Sequence, residues 1–181
     1  MLISKFDLTG ISEKIEAFEE RLGKKLPEQL CEFLMKYNGG ETPNTNFSYN
    51  NVSSDVRAFY GLGKVKYSFD NVDLIVSQGK IYIPFACDSF GNEMIIDLQS
   101  GAVFFMNHEK DRLEQIANDL RGFIYICESK GISHESLKSV EEREQDLLKK
   151  GRGKIITDDL REMWKAEIEK YSLIRLEKVI L

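Results

Sequence analysis

The sequence predicts an α+β fold, in which helices pack against a mostly antiparallel β-meander and a helical C-terminal extension follows. Three observations predict it. Apolar side chains recur at helical spacing over residues 11–37, three strand-like runs separated by turns cover 81–107, and helical spacing returns after residue 133. We therefore expect an α+β domain over residues 1–130 and a helical extension, packed on or linked to it, over 131–181.

The first two helices are expected to form a hairpin. Apolar residues at every third or fourth position predict a helix over residues 11–22, with Gly23 as its left-handed stop. Pro27 suits the first position of a second helix. Asn38-Gly39-Gly40 ends that helix, because Asn and Gly tolerate positive φ.

The middle of the chain predicts a polar loop, a strand, a short helix and the three strands of the meander. These elements cover residues 41–55, 56–62, 70–76, 81–87, 93–98 and 102–107, in that order. Short turns rich in Gly, Asn, Asp and Ser separate the last three, which is a strong hairpin signal. Pro84 lacks a backbone N–H, so it predicts that the first meander strand lies at an edge or contains a bulge.

After the meander, the pattern predicts helices only. Asp111-Arg-Leu-Glu114 has the form of a capping box and predicts a helix that continues to Cys127 and covers the sheet. Two further helices are expected in the extension, one over residues 133–150 and one capped by Thr157.

Charge argues against a direct nucleic-acid binder. The net charge is −5, whereas nucleic-acid binding requires a basic field that displaces phosphate counterions. Residues 128–181 contain twelve basic and twelve acidic side chains, so the whole net charge belongs to residues 1–127. An acidic body of this kind favours a basic partner.

Several other functions are not indicated. The N-terminus has no apolar segment followed by a cleavage site, and no apolar run is long enough to span a membrane, so a cytoplasmic protein is expected. Cys31, Cys87 and Cys127 are far apart and odd in number, which predicts reduced thiols and neither a disulfide framework nor a zinc site. Gly61-Leu-Gly63-Lys64 lacks the spacing of a phosphate-binding loop. No cofactor or metal is expected.

One catalytic alternative stays open. Cys87 and His108 could lie on neighbouring strands, and Asp88 and Asp97 flank the central hairpin, so a hydrolase using these groups is conceivable. Buried thiols and turn-capping carboxylates are the commoner roles of such residues, so we expect no enzyme.

Seven short segments follow one another in a characteristic order: IEAFEERLG (15–23), LP (26–27), FLMKYNGG (33–40), IPFACD (83–88), GN (91–92), IIDL (95–98) and GAVFFMNHE (101–109). This order of motifs resembles the SUKH superfamily, also called the Smi/Knr family. The segments cover roughly residues 11–127, and residues 132–181 have no counterpart in the common family core.

The resemblance implies an α+β fold with helices packed on a mostly antiparallel sheet, and binding without catalysis. Bacterial members of the superfamily are largely immunity proteins that silence a cognate polymorphic toxin, often a nuclease, whereas fungal relatives are signalling and cell-wall regulators. An immunity protein that occludes the active site of a basic toxin is therefore the leading hypothesis. A scaffold or regulator with a host partner is the alternative.

Acidic residues at or near loops and strand ends are the candidate contacts for a protein partner. They are Glu41, Asp55, Asp88, Glu93, Asp97 and Glu109. The sequence leaves open the face that binds, the identity of the toxin and whether the chain forms homo-oligomers.

Overall fold

The structure is a computed structural model that describes residues 1–110 and 112–181. The chain forms two compact units, one of residues 1–131 together with 176–181 and the other of residues 132–175. The helices of the first unit are α1 (Ile11–Leu22), α2 (Glu28–Tyr37) and α3 (Leu120–Ile126). Its strands are β1 (Leu2–Lys5), β2 (Gly40–Glu41), β3 (Thr45–Tyr49), β4 (Val52–Asp55), β5 (Ala58–Phe59), β6 (Ile75–Ser77), β7 (Lys80–Cys87), β8 (Glu93–Asp97), β9 (Val103–Asn107), β10 (Arg112–Ala117), β11 (Cys127–Ser129) and β12 (Glu177–Lys178).

These strands form two sheets. The larger has the order β10-β9-β8-β7-β5-β2-β1-β12, with β6 also paired to β7, and the smaller has the order β11-β3-β4. Every pairing of these strands is antiparallel. The α+β class with a mostly antiparallel meander is therefore confirmed.

Aromatic side chains form the centre of the core between the helices and the sheets. Phe59 of β5 contacts Phe33 of α2 at a ring-centroid distance of 4.8 Å and Phe85 of β7 at 5.7 Å. Phe123 of α3 meets Phe85 at 5.7 Å and Phe47 of β3 at 5.5 Å. Burial of rings of this size contributes strongly to the stability of the domain, and the cluster joins α2, α3 and both sheets.

The predicted end of the second helix also holds two distant segments together. Asn38 has a φ of 49° and is fully buried. Its side-chain amide donates to the carbonyls of Asp7 (2.7 Å) and Leu62 (3.1 Å), and its Oδ1 accepts the Leu62 N–H at 2.7 Å. Asn38 therefore satisfies three backbone groups where the chain segments cross, in addition to ending the helix.

Pro84 lies at a bulge, but its strand is not at an edge. β7 pairs with β8 on one side and with β5 and β6 on the other. Its register shifts between Pro84, opposite Ile95, and Ala86, opposite Met94. The extra residue of the bulge accommodates the missing N–H, which allows Pro in a central strand.

The predicted loop over residues 41–55 is wrong, because this segment contains part of β2 and all of the β3–β4 hairpin. Thr45 and Phe47 are buried and Asn46 is exposed, which is the alternation of a half-buried strand. The strand expected over 56–62 is reduced to β5. The helix expected over 70–76 is also wrong: one 3-10 turn, Phe69–Asn71, precedes strand β6.

The long helix predicted from Asp111 to Cys127 is a strand followed by a short helix. Asp111 lies outside the described residues, and residues 112–117 of the predicted helix form β10, which pairs with β9. α3 begins only after Asp119, whose carboxylate accepts the Gly122 N–H at 2.7 Å. The apolar residues Leu113, Ile116 and Ala117 have helical spacing, but tertiary pairing selects a strand, whose register shifts between Gln115 and Ala117.

The second unit is helical and consists of α4 (His134–Leu137), α5 (Val140–Lys149), a 3-10 turn (Gly153–Ile155) and α6 (Asp158–Ser172). Ser133 and Ser139 each cap a helix, so the segment predicted as one helix over 133–150 is two. The Thr157 side chain accepts the Leu160 N–H, which confirms its predicted role as a cap. No residue of this second unit, residues 132–175, is buried.

The last six residues differ from the predicted helical extension. β12 pairs with β1, Val179 is buried, and the Val179 N–H donates to the Met1 carbonyl at 3.0 Å. Gly131, the last residue before the second unit, lies against the side chains of Leu2 and Leu176. No helix of the described part of the chain is long and apolar enough to cross a membrane.

Candidate partner-binding groove

The outer face of the small sheet is polar and acidic. The strand register places Glu128 of β11 beside Asn46 of β3, and Asn46 beside Asp55 of β4. Cross-strand partners project from the same face, and side chains alternate along each strand, so Phe47 and Cys127 point to the core. One side of this sheet thus completes the core while the other presents carboxylates at its two outer strands.

A groove of about 660 Å³ lies at this face. We call it the acidic groove. Its lining residues are Asn46, Phe47, Ser48, Ser53, Ser54, Asp55, Ser89, Phe90, Ile126 and Glu128. The groove contains two carboxylates and no Lys, Arg or His among these residues, and its volume is in the range of small binding sites.

The turn of residues 88–92, between β7 and β8, supplies Ser89 and Phe90 to the groove. Asp88 is 3% exposed and accepts four hydrogen bonds. Two come from the backbone N–H groups of Phe90 and Asn92, both at 2.8 Å, and two from the side chains of Ser54 and Asn92, both at 2.7 Å. The buried Asp88 carboxylate therefore holds the turn in one conformation and, through Ser54, connects it to β4.

Two further contacts hold the same turn. The Ser89 N–H and hydroxyl both donate to the Asp55 carboxylate, at 3.2 and 2.6 Å. The Asn92 Oδ1 accepts the backbone N–H of His108 at 3.2 Å and lies 2.9 Å from its Nδ1. Phe90, at the tip, remains 69% exposed.

Two of the six candidate contact residues are unavailable to a partner. Asp88 is buried beneath the turn, and Asp97 is 1% exposed at the opposite end of the β7–β8 hairpin. Burial acts to raise the pKa of Asp97, but hydrogen bonds from Gln99 and Ser100 outweigh it, so this pKa lies below its usual value. Both carboxylates organise turns, so neither is placed to contact a partner.

The other four differ in position. Asp55 lines the acidic groove. Glu41 is half-buried and forms an ion pair with Lys66 at 2.8 Å, Glu109 is exposed in the turn after β9, and Glu93 is half-buried on β8. Of these four, only Asp55 belongs to the groove, so the structure does not bring the predicted residues together at one place.

Glu93 has a pKa above its ordinary value of 4.5, because burial outweighs the Tyr60 O–H that donates to its Oε1 at 3.1 Å. A raised folded-state pKa stabilises the fold below about pH 4.5, and this stabilisation is lost as the pH rises through the folded value. We expect Glu93→Gln, which keeps an oxygen acceptor for Tyr60, to raise the melting temperature at pH 7.

Thermal unfolding of both proteins at pH 7 and pH 4 checks this prediction. The difference should shrink at pH 4, where Glu93 gains the proton that Gln imitates. Glu20→Gln on the exposed side of α1 is the control for removing one negative charge from a chain of net charge −5. An equal gain in both variants would contradict the role of burial.

The groups considered for hydrolysis are not arranged for it. Burial raises the pKa of the Cys87 thiol, so the thiolate that would act as nucleophile is disfavoured. Among the described residues no hydrogen bond joins Cys87 to His108, whose ring contacts Asn92. Asp88 and Asp97 are separated by the length of the hairpin, too far for a shared acid–base role. Residues 1–110 and 112–181 hold no His, Cys, Asp and Glu cluster suited to a metal ion.

Of the ten residues that line the groove, the sequence candidates include only Asp55, and the missed residues with the clearest binding chemistry are Phe90 and Glu128. The sequence pattern predicts a helix up to Cys127, next to Glu128, and a loop over 41–55, so it omits the sheet on which Glu128 lies. The alternation of buried Thr45 and Phe47 with exposed Asn46 and Ser48 is the available signal. Phe90 carries no periodic signal, since it is a single apolar residue in a turn.

Comparison with known proteins agrees with this fold. A prophage-derived relative of Bacillus subtilis (strain 168), the SPbeta prophage-derived uncharacterized protein YokK, is 25% identical over 146 residues, which cover 67% of this chain and 76% of the relative. No solved structure matches the chain. The family described as SMI1 / KNR4 (SUKH-1) matches residues 12–126, which include the helical hairpin, the meander and most of the groove. The chain therefore belongs to the SMI1/KNR4 family (SUKH-1), as its motifs indicate.

Proposed function

We propose that this protein is an immunity protein that binds a cognate polymorphic toxin and neutralises it by covering its active site. Family membership supports a protein-binding role, and the carrying observation is the acidic groove, where Asp55 and Glu128 lie beside the exposed Phe90. Neutralisation proceeds by binding alone, in the cytoplasm, with no cofactor and no contact between this chain and nucleic acid.

Electrostatics favours a basic toxin surface. The two carboxylates lie on the outer strands of a three-stranded sheet, about 10 Å apart at the backbone, so a Lys or Arg lying across the groove can contact both. A nuclease requires basic residues around its active site to hold phosphates. An acidic groove attracts such a basic site at long range, and once bound it keeps the nucleic-acid substrate out of the active site.

The proposal predicts that a neighbouring gene encodes a protein with a C-terminal toxin domain, and the test is co-expression with that domain. We expect the wild-type chain to restore growth and to form a complex with that domain. Asp55→Asn combined with Glu128→Gln should slow association about tenfold at low salt and flatten its salt dependence, because charge steering acts mainly on the association rate.

The matched control is Glu16→Gln combined with Glu20→Gln, which removes the same charge from exposed positions of α1. This control should keep the wild-type association rate. Absence of both a complex and protection with the wild-type chain would refute the immunity function. Equal slowing in the two double variants would show that net charge acts and the groove does not.

A further inference from the structure

Phe90 is an exposed aromatic side chain on a turn that is otherwise fully organised. Single exposed apolar residues are common on protein surfaces and need no function. Phe90 differs because the turn beneath it is fixed by the buried Asp88 carboxylate, by the two bonds from Ser89 to Asp55 and by the Asn92 contact with His108. None of these hydrogen bonds needs an aromatic ring at position 90.

This arrangement has the properties of a binding hot spot. Ordering a flexible loop on association reduces affinity, and a turn held in advance avoids that cost. Aromatic residues supply large contact area with few rotatable bonds, and they dominate the energetics of many interfaces. Phe90 also lines the acidic groove, so the ring and the carboxylates of Asp55 and Glu128 face one ligand space.

We propose that Phe90 is a preformed hydrophobic anchor that inserts into an apolar pocket of a basic protein partner. The acidic groove beside it receives a Lys or Arg that flanks this pocket, and Asp88 and Asn92 act as positioning residues that hold the ring. The partner's chemistry follows from the charge of the groove, which has two carboxylates and no cation among its lining residues. This inference rests on the proposed function and specifies how the toxin is held.

The experiment measures, by surface plasmon resonance, how the full chain binds the purified toxin domain that the proposed function expects a neighbouring gene to encode. We expect Phe90→Ala to weaken the affinity by tenfold or more through faster dissociation, with the association rate within about twofold of wild type. Val76→Ala is the matched control, because Val76 is 73% exposed and Phe90 69%. It should bind as wild type does.

Asn92→Ala tests whether affinity depends on the fixed position of the Phe90 ring as well as on its presence. It keeps Phe90 but removes a hydrogen bond to Asp88 and the contact with His108. We therefore expect the dissociation rate to rise, by less than in Phe90→Ala. If the wild-type chain binds and Phe90→Ala dissociates no faster than Val76→Ala, the anchor is refuted while the immunity function stands. If the wild-type chain does not bind, both proposals fail.

Discussion

Replacing Gly40 with Ala is expected to destabilise the first unit strongly. Gly40 has a φ of +147°, and a Cβ there would overlap the Ser4 carbonyl oxygen and crowd the Ile3 side chain, because β1 and β2 pair at this point. Backbone strain and forced overlap together should cost about 3 to 5 kcal/mol. That is a large part of the roughly 5 to 15 kcal/mol that stabilises an ordinary domain.

Urea unfolding followed by circular dichroism measures this cost. Gly79→Ala is the control, since Gly79 has a φ of +75° but a methyl group added there would meet no atom within 4 Å. Conformational strain alone should cost about 1 kcal/mol at that position. Equal losses at the two positions would show that the close approach of β1 and β2 contributes nothing.

Replacing Arg143 with Met is expected to melt the helical unit of residues 132–175 and to leave the other unit folded. The guanidinium donates to the carbonyls of Ser136 (2.8 Å) and Lys138 (3.1 Å), pairs with Glu167 at 2.7 Å and lies over the Trp164 ring. No side chain of this unit is buried, so this polar centre replaces a hydrophobic core. Losing it should cost the unit about 2 to 4 kcal/mol.

Hydrogen exchange resolves the two units in one experiment. In Arg143→Met the amides of α6 should exchange much faster, while those of β7 and β8 keep wild-type protection. Lys165→Met is the control, because Lys165 forms an exposed ion pair with Glu162 one turn away, and such pairs contribute little. Faster exchange throughout the chain would contradict the independence of the helical unit.

Much of the fold could be predicted because local signals agreed with the tertiary structure. Residues 11–22 have a clear helical period and residues 93–98 form a short apolar run, each bounded by glycine or turn residues, and the structure places α1 and β8 there. Residues 112–117 have helical spacing, and only the pairing with β9 makes them a strand. Polar strands such as β4 bury too little apolar surface to give a signal, and their neighbours hold them in place.

The candidate site was harder to predict for a related reason. Asp55, Asp88 and Asp97 have the same charge and similar turn-like surroundings in sequence, yet Asp55 lines a groove and the other two are buried. Which carboxylate caps a turn and which faces solvent depends on the hydrogen-bond donors that the fold brings to it. These donors include Ser54, far from Asp88 in sequence.

The pairing of β12 with β1 changes how the helical unit of residues 132–175 is to be understood. After the helical unit the chain returns to the large sheet. This unit is therefore an insertion into a host domain and not a C-terminal extension. Gly131 and Leu176, where the chain leaves and re-enters the host, lie side by side. Insertions with adjacent ends are tolerated because the host keeps its own contacts. We therefore expect that exchange or loss of this inserted unit would leave the core of the host domain unchanged.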